Sequence, residues 1–493
     1  MIDLTVNQEA LDRAIERARE QKIVIPTFAQ QRDPSLIPDV IKEKLKDVGM
    51  WDINPINLFR IGWHNEPKMQ GGTYGPVNTI EIPSELTGVK ARIFVMIGKW
   101  MPTGCHKVGA SFGCLVPRLV TGQFDPTYHK AVWPSTGNYC RGGAFNSALL
   151  DCYSVAILPE GMSRERFDWL KEIASETIST PGTESDVKEI FDKTWEIRKT
   201  RPDCVIFNQF EEMGNVVWHY NVTGPALAEA FENLKNEDER LAGVFFTSGS
   251  GGSINAGSYL KNNYRNVKVC VGEALQCPTI LNNGYGSHRI EGIGDKHVPW
   301  VHNVKNTDMV AAIDDNDSVN LLRLFNTEVG QKYLKDKVGL SDKQIQDLSF
   351  LGISGISNVL GCIKMAKYYE LTEKDILGTV ATDSYEMYVS RVEELNEEQG
   401  EYTEQTACRD FHQHLVAIKT DNMAELNYYD RKRVHNLKYY TWVEQQERDV
   451  NELNDQWYDD TYWDTVHKQV EEMDRLIEDF NEKTGVLKEM EGK

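Results

Sequence analysis

The sequence predicts an α/β fold, a parallel sheet covered on both faces by helices, and three stretches carry the prediction. Each is a short apolar run followed by a loop and then by a helical pattern. Arg92 to Ile97 is rich in β-branched and aromatic residues, and Lys107 follows it at the head of a helical stretch, Val108 to Val116, that Pro117 is expected to end. Ala131-Val132-Trp133 leads through Pro134-Ser135-Thr136-Gly137-Asn138 into an Ala- and Gly-rich helix over Arg141 to Leu150. Gly243-Val244-Phe245-Phe246 leads through Thr247-Ser248-Gly249-Ser250-Gly251-Gly252-Ser253 into a helix over Ile254 to Tyr264. Strands alternating with helices imply parallel pairing with both faces buried, and in such sheets the ligand loops leave the carboxyl ends of the strands.

The three loops differ in chemistry. An ammonium at Lys107 lies beside the positive end of a helix and partly out of water. Both effects disfavour its charged form and make it a nucleophile toward a carbonyl or an aldehyde cofactor. Taken alone this is a weak signal, since most of the 54 Lys and Arg are solvated surface charges. The hydroxyls and N–H groups of 135–138 stand at a helix N-terminus, which suits a carboxylate. The loop 247–253 has the strand, glycine loop and helix order that cradles a phosphate. No Gly-Lys-Ser/Thr closes it and it lacks G-x-G-x-x-G, so it is neither a Walker loop nor a dinucleotide loop. One lysine, one anion-binding hydroxyl loop and one phosphate cup together point to pyridoxal 5'-phosphate (PLP).

In this order and spacing the stretches resemble the cysteine synthase and tryptophan synthase β family, the fold-type II PLP enzymes, and most closely the cysteine synthases. Phe207-Asn208-Gln209-Phe210 with Asn215, His219 and Thr223-Gly224-Pro225 is similar to the family's Q-Q-F…N…H…T-G-P segment. His288-Arg289-Ile290-Glu291-Gly292-Ile293-Gly294 with Val298-Pro299 resembles its H-K-I-Q-G-I-G…V-P loop. Gly352-Ile353-Ser354-Gly355 and Thr382 to Ser390 resemble its late G-I-S-S-G and S-S-G-E-R-Y-L-S segments. The resemblance implies a two-lobed catalytic core over 80–390, its smaller lobe about 101–212 and its larger lobe about 80–100 with 213–390. It implies that Lys107 is the Schiff-base lysine, that Asn138 bonds the ring hydroxyl, and that Gly249, Ser250, Gly251, Gly252 and Ser253 bind the phosphate. By the same resemblance Ser135, Thr136, Gly137 and Gln209 hold the substrate carboxylate, and Ser384 meets the pyridine nitrogen. A neutral hydroxyl there limits delocalisation into the ring and favours expulsion of a β-leaving group, provided that Ser384 and not Asp383 faces the ring.

Three departures bear on substrate. Tyr139 and Cys140 stand where cysteine synthases have small residues, and Arg141 follows. They either pack away from the site or reshape the pocket, with Arg141 pairing an acidic group of the substrate. His106 resembles the H-K pair of tryptophan synthase β and is expected to donate to the phosphate. Asp295-Lys296-His297 replaces a small, neutral stretch near the mouth of the site.

The expected activity is β-elimination or β-replacement on a serine- or cysteine-type amino acid through an enzyme-bound aminoacrylate, with Lys107 as general base. Sequence does not decide between the two outcomes. A dehydratase or ammonia-lyase acting on Ser, Thr or diaminopropionate uses the same fold and lysine. A rival of another class is a non-catalytic PLP- or peptide-binding regulatory protein that has kept the fold.

Composition bounds the rest. Net charge of −21 over 493 residues argues against nucleic acid as a partner. No apolar run approaches a membrane helix, the start of the chain lacks a signal pattern, and nine scattered cysteines without a C-x-x-C read as reduced thiols, so a cytoplasmic location is expected, and by resemblance a homodimer. Residues 1–79 are expected to form an extension with helices over Glu9 to Gln21 and over Ile37 to Val48, the latter capped near Asp33-Pro34-Ser35, and with a surface loop over Asn65 to Tyr74. Residues 391–493 carry 26 acidic and 13 basic side chains. Their periodic stretches, Arg391 to Gln399, Asn436 to Leu453 and Tyr462 to Phe480, read as charged helices, and Trp442, Trp457 and Trp463 make them a packed appendage instead of a disordered tail. Cys408 with His412 and His414 has no second Cys/His pair nearby, so no metal is expected.

Overall fold

The apolar runs become strands of two sheets, and the loops that follow them converge. The computed structural model describes residues 1–67, 72–184, 186–294 and 296–492. The expected surface loop around Pro67 and Gly71-Gly72 therefore lies in part, and Asp295 wholly, outside the described residues. Strands β1 (Thr79–Ile82) and β2 (Arg92–Ile97) precede β3 (Lys130–Pro134), β4 (Tyr153–Pro159), β5 (Glu176–Thr180) and β6 (Cys204–Ile206). Then come β7 (Arg240–Thr247), β8 (Lys268–Ala274), β9 (Met309–Ile313), β10 (Asp375–Ala381) and β11 (Met423–Glu425). The smaller sheet has the order β5-β4-β3-β6 and is all parallel. The larger has the order β1-β2-β10-β7-β8-β9-β11; its five central strands are parallel and its two edge strands antiparallel. Every residue of β9 and β10 is buried, as a sheet covered on both faces requires. This is the two-lobed parallel architecture expected. Beyond the carboxyl ends of β2, β3, β7 and β10 lie Lys107, Ser135, the glycine loop and Ser384 in turn, so four loops from two sheets face one another.

Local chemistry moved several element ends. The helix after Lys107 spans Lys107–Val120 and runs through Pro117 instead of stopping before it. Pro117 has no N–H to give the Gly113 carbonyl. That carbonyl is met instead by the crossing helix Met213–Trp218, where a Cβ on Gly214 would fall 2.0 Å from it. Asp33 does cap, its side chain accepting from the Ser35 N–H, but it starts a single tight turn, Pro34–Leu36. Pro38 holds Ile37 extended, and the helix proper is Asp39–Leu45. The stretch expected as one helix over Asn436 to Leu453 is broken: Tyr428–Lys438 ends in a wide turn, Tyr439–Val443, Glu447 takes φ +59°, and Val450–Tyr458 restarts with Asp449 accepting from the Asn451 N–H.

The terminal segments are sewn to the rest and to each other. Helix Tyr462–Thr484 presents Asp474, which accepts from the Phe28 and Ala29 N–H groups at 2.6 and 3.1 Å, and Asn481, which bonds both backbone groups of Ile25. His467 on the same helix stacks on Tyr220, with centroids 3.6 Å apart. β11 adds an edge to the larger sheet that helical periodicity did not signal. Nearest the site, the buried Lys438 ammonium donates to the carbonyls of Trp300 (2.9 Å) and His302 (2.6 Å) and to Gln456, while Trp442 donates to the Val298 carbonyl. Pro299 and His302 stand directly against Gly251 of the glycine loop. Lys438→Leu leaves two buried carbonyls without a donor and is expected to cost about 2 kcal/mol or more, read as a lower urea midpoint.

Candidate active site

Lys107 is the first residue of its helix, and its side chain is half-buried among polar partners. The amine donates to Gln209 Oε1 at 3.1 Å and to Ser250 Oγ at 3.0 Å, which ties β6's loop to the glycine loop. Burial lowers its pKa to about 8, so about a tenth of the amine is neutral at pH 7, far more than for a solvated lysine. His106 is buried with its ring edge-on to His219, 5.1 Å between centroids, and beside Trp63. Burial holds it neutral, its pKa lowered to about 3, and among the described residues it makes no hydrogen bond to the glycine loop.

The glycine loop is shaped by contacts that exclude side chains. Gly251 takes φ +76°, a Cβ on Gly252 would lie 2.2 Å from Asn215 Oδ1, and one on Gly249 would lie 2.9 Å from the Gly292 carbonyl. Asn215 in turn donates to the Gln209 carbonyl and to Ser250 Oγ. The N–H groups from Gly249 to Ser253 find no hydrogen-bond partner among the described residues, and helix Ile254–Asn263 begins directly after them. Such a concavity of backbone donors at a helix N-terminus binds an anion.

At the end of β3, Ser135 Oγ accepts from the Gly137 N–H (3.0 Å), and Thr136 Oγ1 donates to Glu184. Gly137 takes φ +146°, and a Cβ there would meet the Arg166 side chain at 2.5 Å. Asn138 heads helix Asn138–Leu149 and donates from Nδ2 to Asp383 Oδ2 at 2.7 Å. Tyr388 also donates to that oxygen at 2.7 Å, and Arg166 lies 3.7 Å from it. The cavity between these loops is lined by Lys107, Thr136, Asn138, Glu184, Gln209 and Ser250, among others.

A family model described as "Pyridoxal-phosphate dependent enzyme" matches residues 71–331. The chain belongs to this family. Among curated proteins it is 27% identical over 241 residues to a probable cysteine synthase of Bacillus subtilis, covering 49% of this chain and 76% of that one. It is 26% identical over 337 residues to the cystathionine beta-synthase of Saccharomyces cerevisiae, covering 66% and 62%. Among solved structures it resembles an O-acetylserine dependent cystathionine beta-synthase from Helicobacter pylori (TM-score 0.54, 22% identity, 64% of this chain and 95% of that one). It also resembles a hydrogen sulfide-producing enzyme from Fusobacterium nucleatum (TM-score 0.53, 24% identity, 71% and 95%). The structural likenesses speak to the fold.

The cofactor of this family is PLP, and the residues present fit it: unpartnered amides for a phosphate stand beside a buried, easily neutralised amine. Gly252→Ala is expected to weaken cofactor retention at least about tenfold, because the added methyl must displace Asn215 or open the loop; equilibrium dialysis reads it. Of the residues singled out from sequence, Lys107, Ser135, Thr136, Asn138, Tyr139, Gln209, Gly249 and Ser250 line one cavity. Tyr139 does so with its ring turned into the core against Trp133. Arg141 does not line it: its guanidinium is buried over Trp169 (4.9 Å) and donates to Asn138 Oδ1 from behind. Ser384 is buried beside Asp383.

Sequence reasoning missed a buried charge cluster that abuts the cavity. Arg166 pairs with Glu291 and donates from Nη2 to Tyr388 OH at 2.9 Å, with Asp383 and Glu184 at 3.7 and 4.0 Å. Arg391 takes the other oxygen of Glu291. No spacing rule marks these residues, because most of their contacts span a hundred positions or more. Among the described residues no group of three His, Cys, Asp or Glu is placed to hold a metal ion, and no single helix is long and apolar enough to cross a membrane.

Proposed function

We propose that this chain is an amino-acid enzyme that performs β-elimination or β-replacement on a serine- or cysteine-type substrate. One observation carries the reading: the Lys107 amine, buried and easily neutralised, stands where the phosphate cup meets the hydroxyl loop. Lys107 would hold PLP through Nζ, the amides of Gly249 to Ser253 would hold its phosphate, and the Ser384 hydroxyl would meet its ring nitrogen. Bound PLP supplies an electron sink for the bond broken at Cα. The residues do the rest. Ser135, Thr136 and Gln209 orient the substrate carboxylate, and the Lys107 amine removes the α-proton as general base. Oδ2 of Asp383 already accepts from Asn138 and Tyr388, which supports Ser384 as the neutral partner of the ring and thus early loss of the β-group. Asn138 Nδ2 carries two N–H groups and gives one to Asp383, which leaves the other for the ring hydroxyl.

The same arrangement serves a dehydratase or ammonia-lyase, and relatives named as cysteine synthase and cystathionine beta-synthase support replacement. A panel of L-cysteine, L-serine, O-acetylserine and 2,3-diaminopropionate decides. Pyruvate with ammonia means elimination, a new thiol or thioether means replacement, and silence across the panel with PLP supplied turns the reading to a regulatory PLP-binding protein. The reading includes a cytosolic homodimer, supported by the acidic composition and the resemblance, and sedimentation velocity tests the dimer.

A further inference from the structure

The cavity holds a carboxyl group that the reaction described above does not use. Glu184 follows β5, is 3% exposed, and lines the same cavity as Lys107. Its Oε1 is anchored by the Thr136 hydroxyl, whereas Oε2 has no hydrogen-bond partner among the described residues. Among the described residues Oε2 pairs with Arg166, at 4.0 Å, and that guanidinium is already committed to Glu291, Tyr388 and Asp383. A buried carboxyl oxygen without a partner is costly unless it is protonated or meets a ligand.

We propose that Glu184 hands a proton to the departing β-substituent, so that the preferred substrates are amino acids whose β-group leaves as a neutral thiol, alcohol or amine. This rests on the β-elimination or β-replacement reading above. In the step, the Cα–H electron pair forms the Cα–Cβ double bond as Lys107 Nζ takes the α-proton. The Cβ–X bond breaks, its electron pair goes to X, and X takes the proton from Glu184 Oε2 and leaves as HX. Glu184 is reprotonated through solvent and Lys107 loses its proton before the next turnover. An alkoxide, thiolate or amide anion is a poor leaving group without that proton, and a positioned acid gives about 10²- to 10⁴-fold. The carboxylate that leaves from an O-acyl substrate needs no proton, so Glu184 gives it no advantage.

The electrostatics agree with the geometry. The charged groups facing Glu184 are Arg166, Glu291 and Lys107, with Arg391 beyond Glu291. Burial raises the Glu184 pKa to about 8 against the opposing pull of Arg166, so the proton is held at neutral pH.

The test compares holoenzyme and its Glu184→Gln variant on L-serine, L-cysteine and 2,3-diaminopropionate, and on β-chloro-L-alanine, whose chloride leaves without a proton. The expected result is a loss of kcat/KM of about 10²-fold or more on the first three and of less than about tenfold on the chloride. Because the Lys107 amine must lose its proton in the same range, wild-type rates on the first three should peak near pH 8 and fall above it, and that alkaline fall should be absent in the variant. The substrate with the widest split names the leaving group. Equal losses on all four, or a limb that survives in Glu184→Gln, overturn the proposal. A second readout needs no turnover: the infrared difference spectrum of unloaded wild type minus Glu184→Gln at neutral pH should contain a protonated carboxyl band, and its absence also overturns it. If wild type fails even on β-chloroalanine, the β-elimination reading itself falls, whereas turnover of the chloride without a split removes only the role of Glu184.

Discussion

Lys107→Ala is expected to lose turnover on every substrate of the panel by at least about 10⁴-fold, because one side chain both holds the cofactor and moves the α-proton. The fold should survive the change. Lys107 begins its helix, and its amine bonds only two side chains, Gln209 and Ser250, both of which have other partners. Circular dichroism and the urea midpoint should therefore stay near wild type while rates vanish. Substantial turnover in Lys107→Ala would mean that another group does the chemistry, and the cavity would have to be read afresh.

Arg166→Met is expected to produce the largest loss of stability, about 3–5 kcal/mol, because it strands buried carboxyl groups that the guanidinium now serves. Arg166 is fully buried and faces Glu291, Asp383 and Glu184, and it also donates to Tyr388. Among the described residues, Glu291 is the one of the three with a second ion pair within 4 Å, to Arg391. The pH dependence has a definite sign. Burial already raises the pKa of Glu184 to about 8 and that of Asp383 upward, and removing the arginine raises both further. A group whose folded pKa is raised stabilises below its unfolded value and loses that contribution as pH rises through the folded one. The deficit of Arg166→Met should thus be greater in mildly alkaline than in mildly acidic solution. Arg166→Lys keeps the charge but not the planar fork that reaches Glu291 and Tyr388 together, so it should recover part of the loss. Urea unfolding at several pH values measures all three.

The features legible in the sequence are those written in short stretches of chain. Strand, loop and helix around Lys107, Ser135 and Gly249 can be read because apolar runs, glycines and hydroxyls stand within a few residues of one another. The same locality misled at Pro117 and over Asn436 to Leu453. A crossing glycine backbone carried the helix past Pro117, and Glu447 in the left-handed region broke the other helix. For Arg141 the sequence left open a packed side chain or a substrate clamp, and the fold places its guanidinium over Trp169. Glu184 and Arg166 gave no signal at all, and Asp383 stood out only as the neighbour of Ser384. Their meaning lies in pairings such as Arg166 with Glu291 and Asn138 with Asp383, separated by 125 and 245 positions, which only the folded chain brings together. Lys438 is a further instance, since a tail lysine proves to brace the carbonyls behind the phosphate cup.

The central claim is that Lys107 carries the cofactor. It is tested most directly by supplying PLP to the full-length protein, reducing with borohydride, and mapping the labelled peptide by mass spectrometry. The account predicts a single stoichiometric label on Lys107. A label on another lysine, or none with the protein folded and PLP in excess, would contradict it.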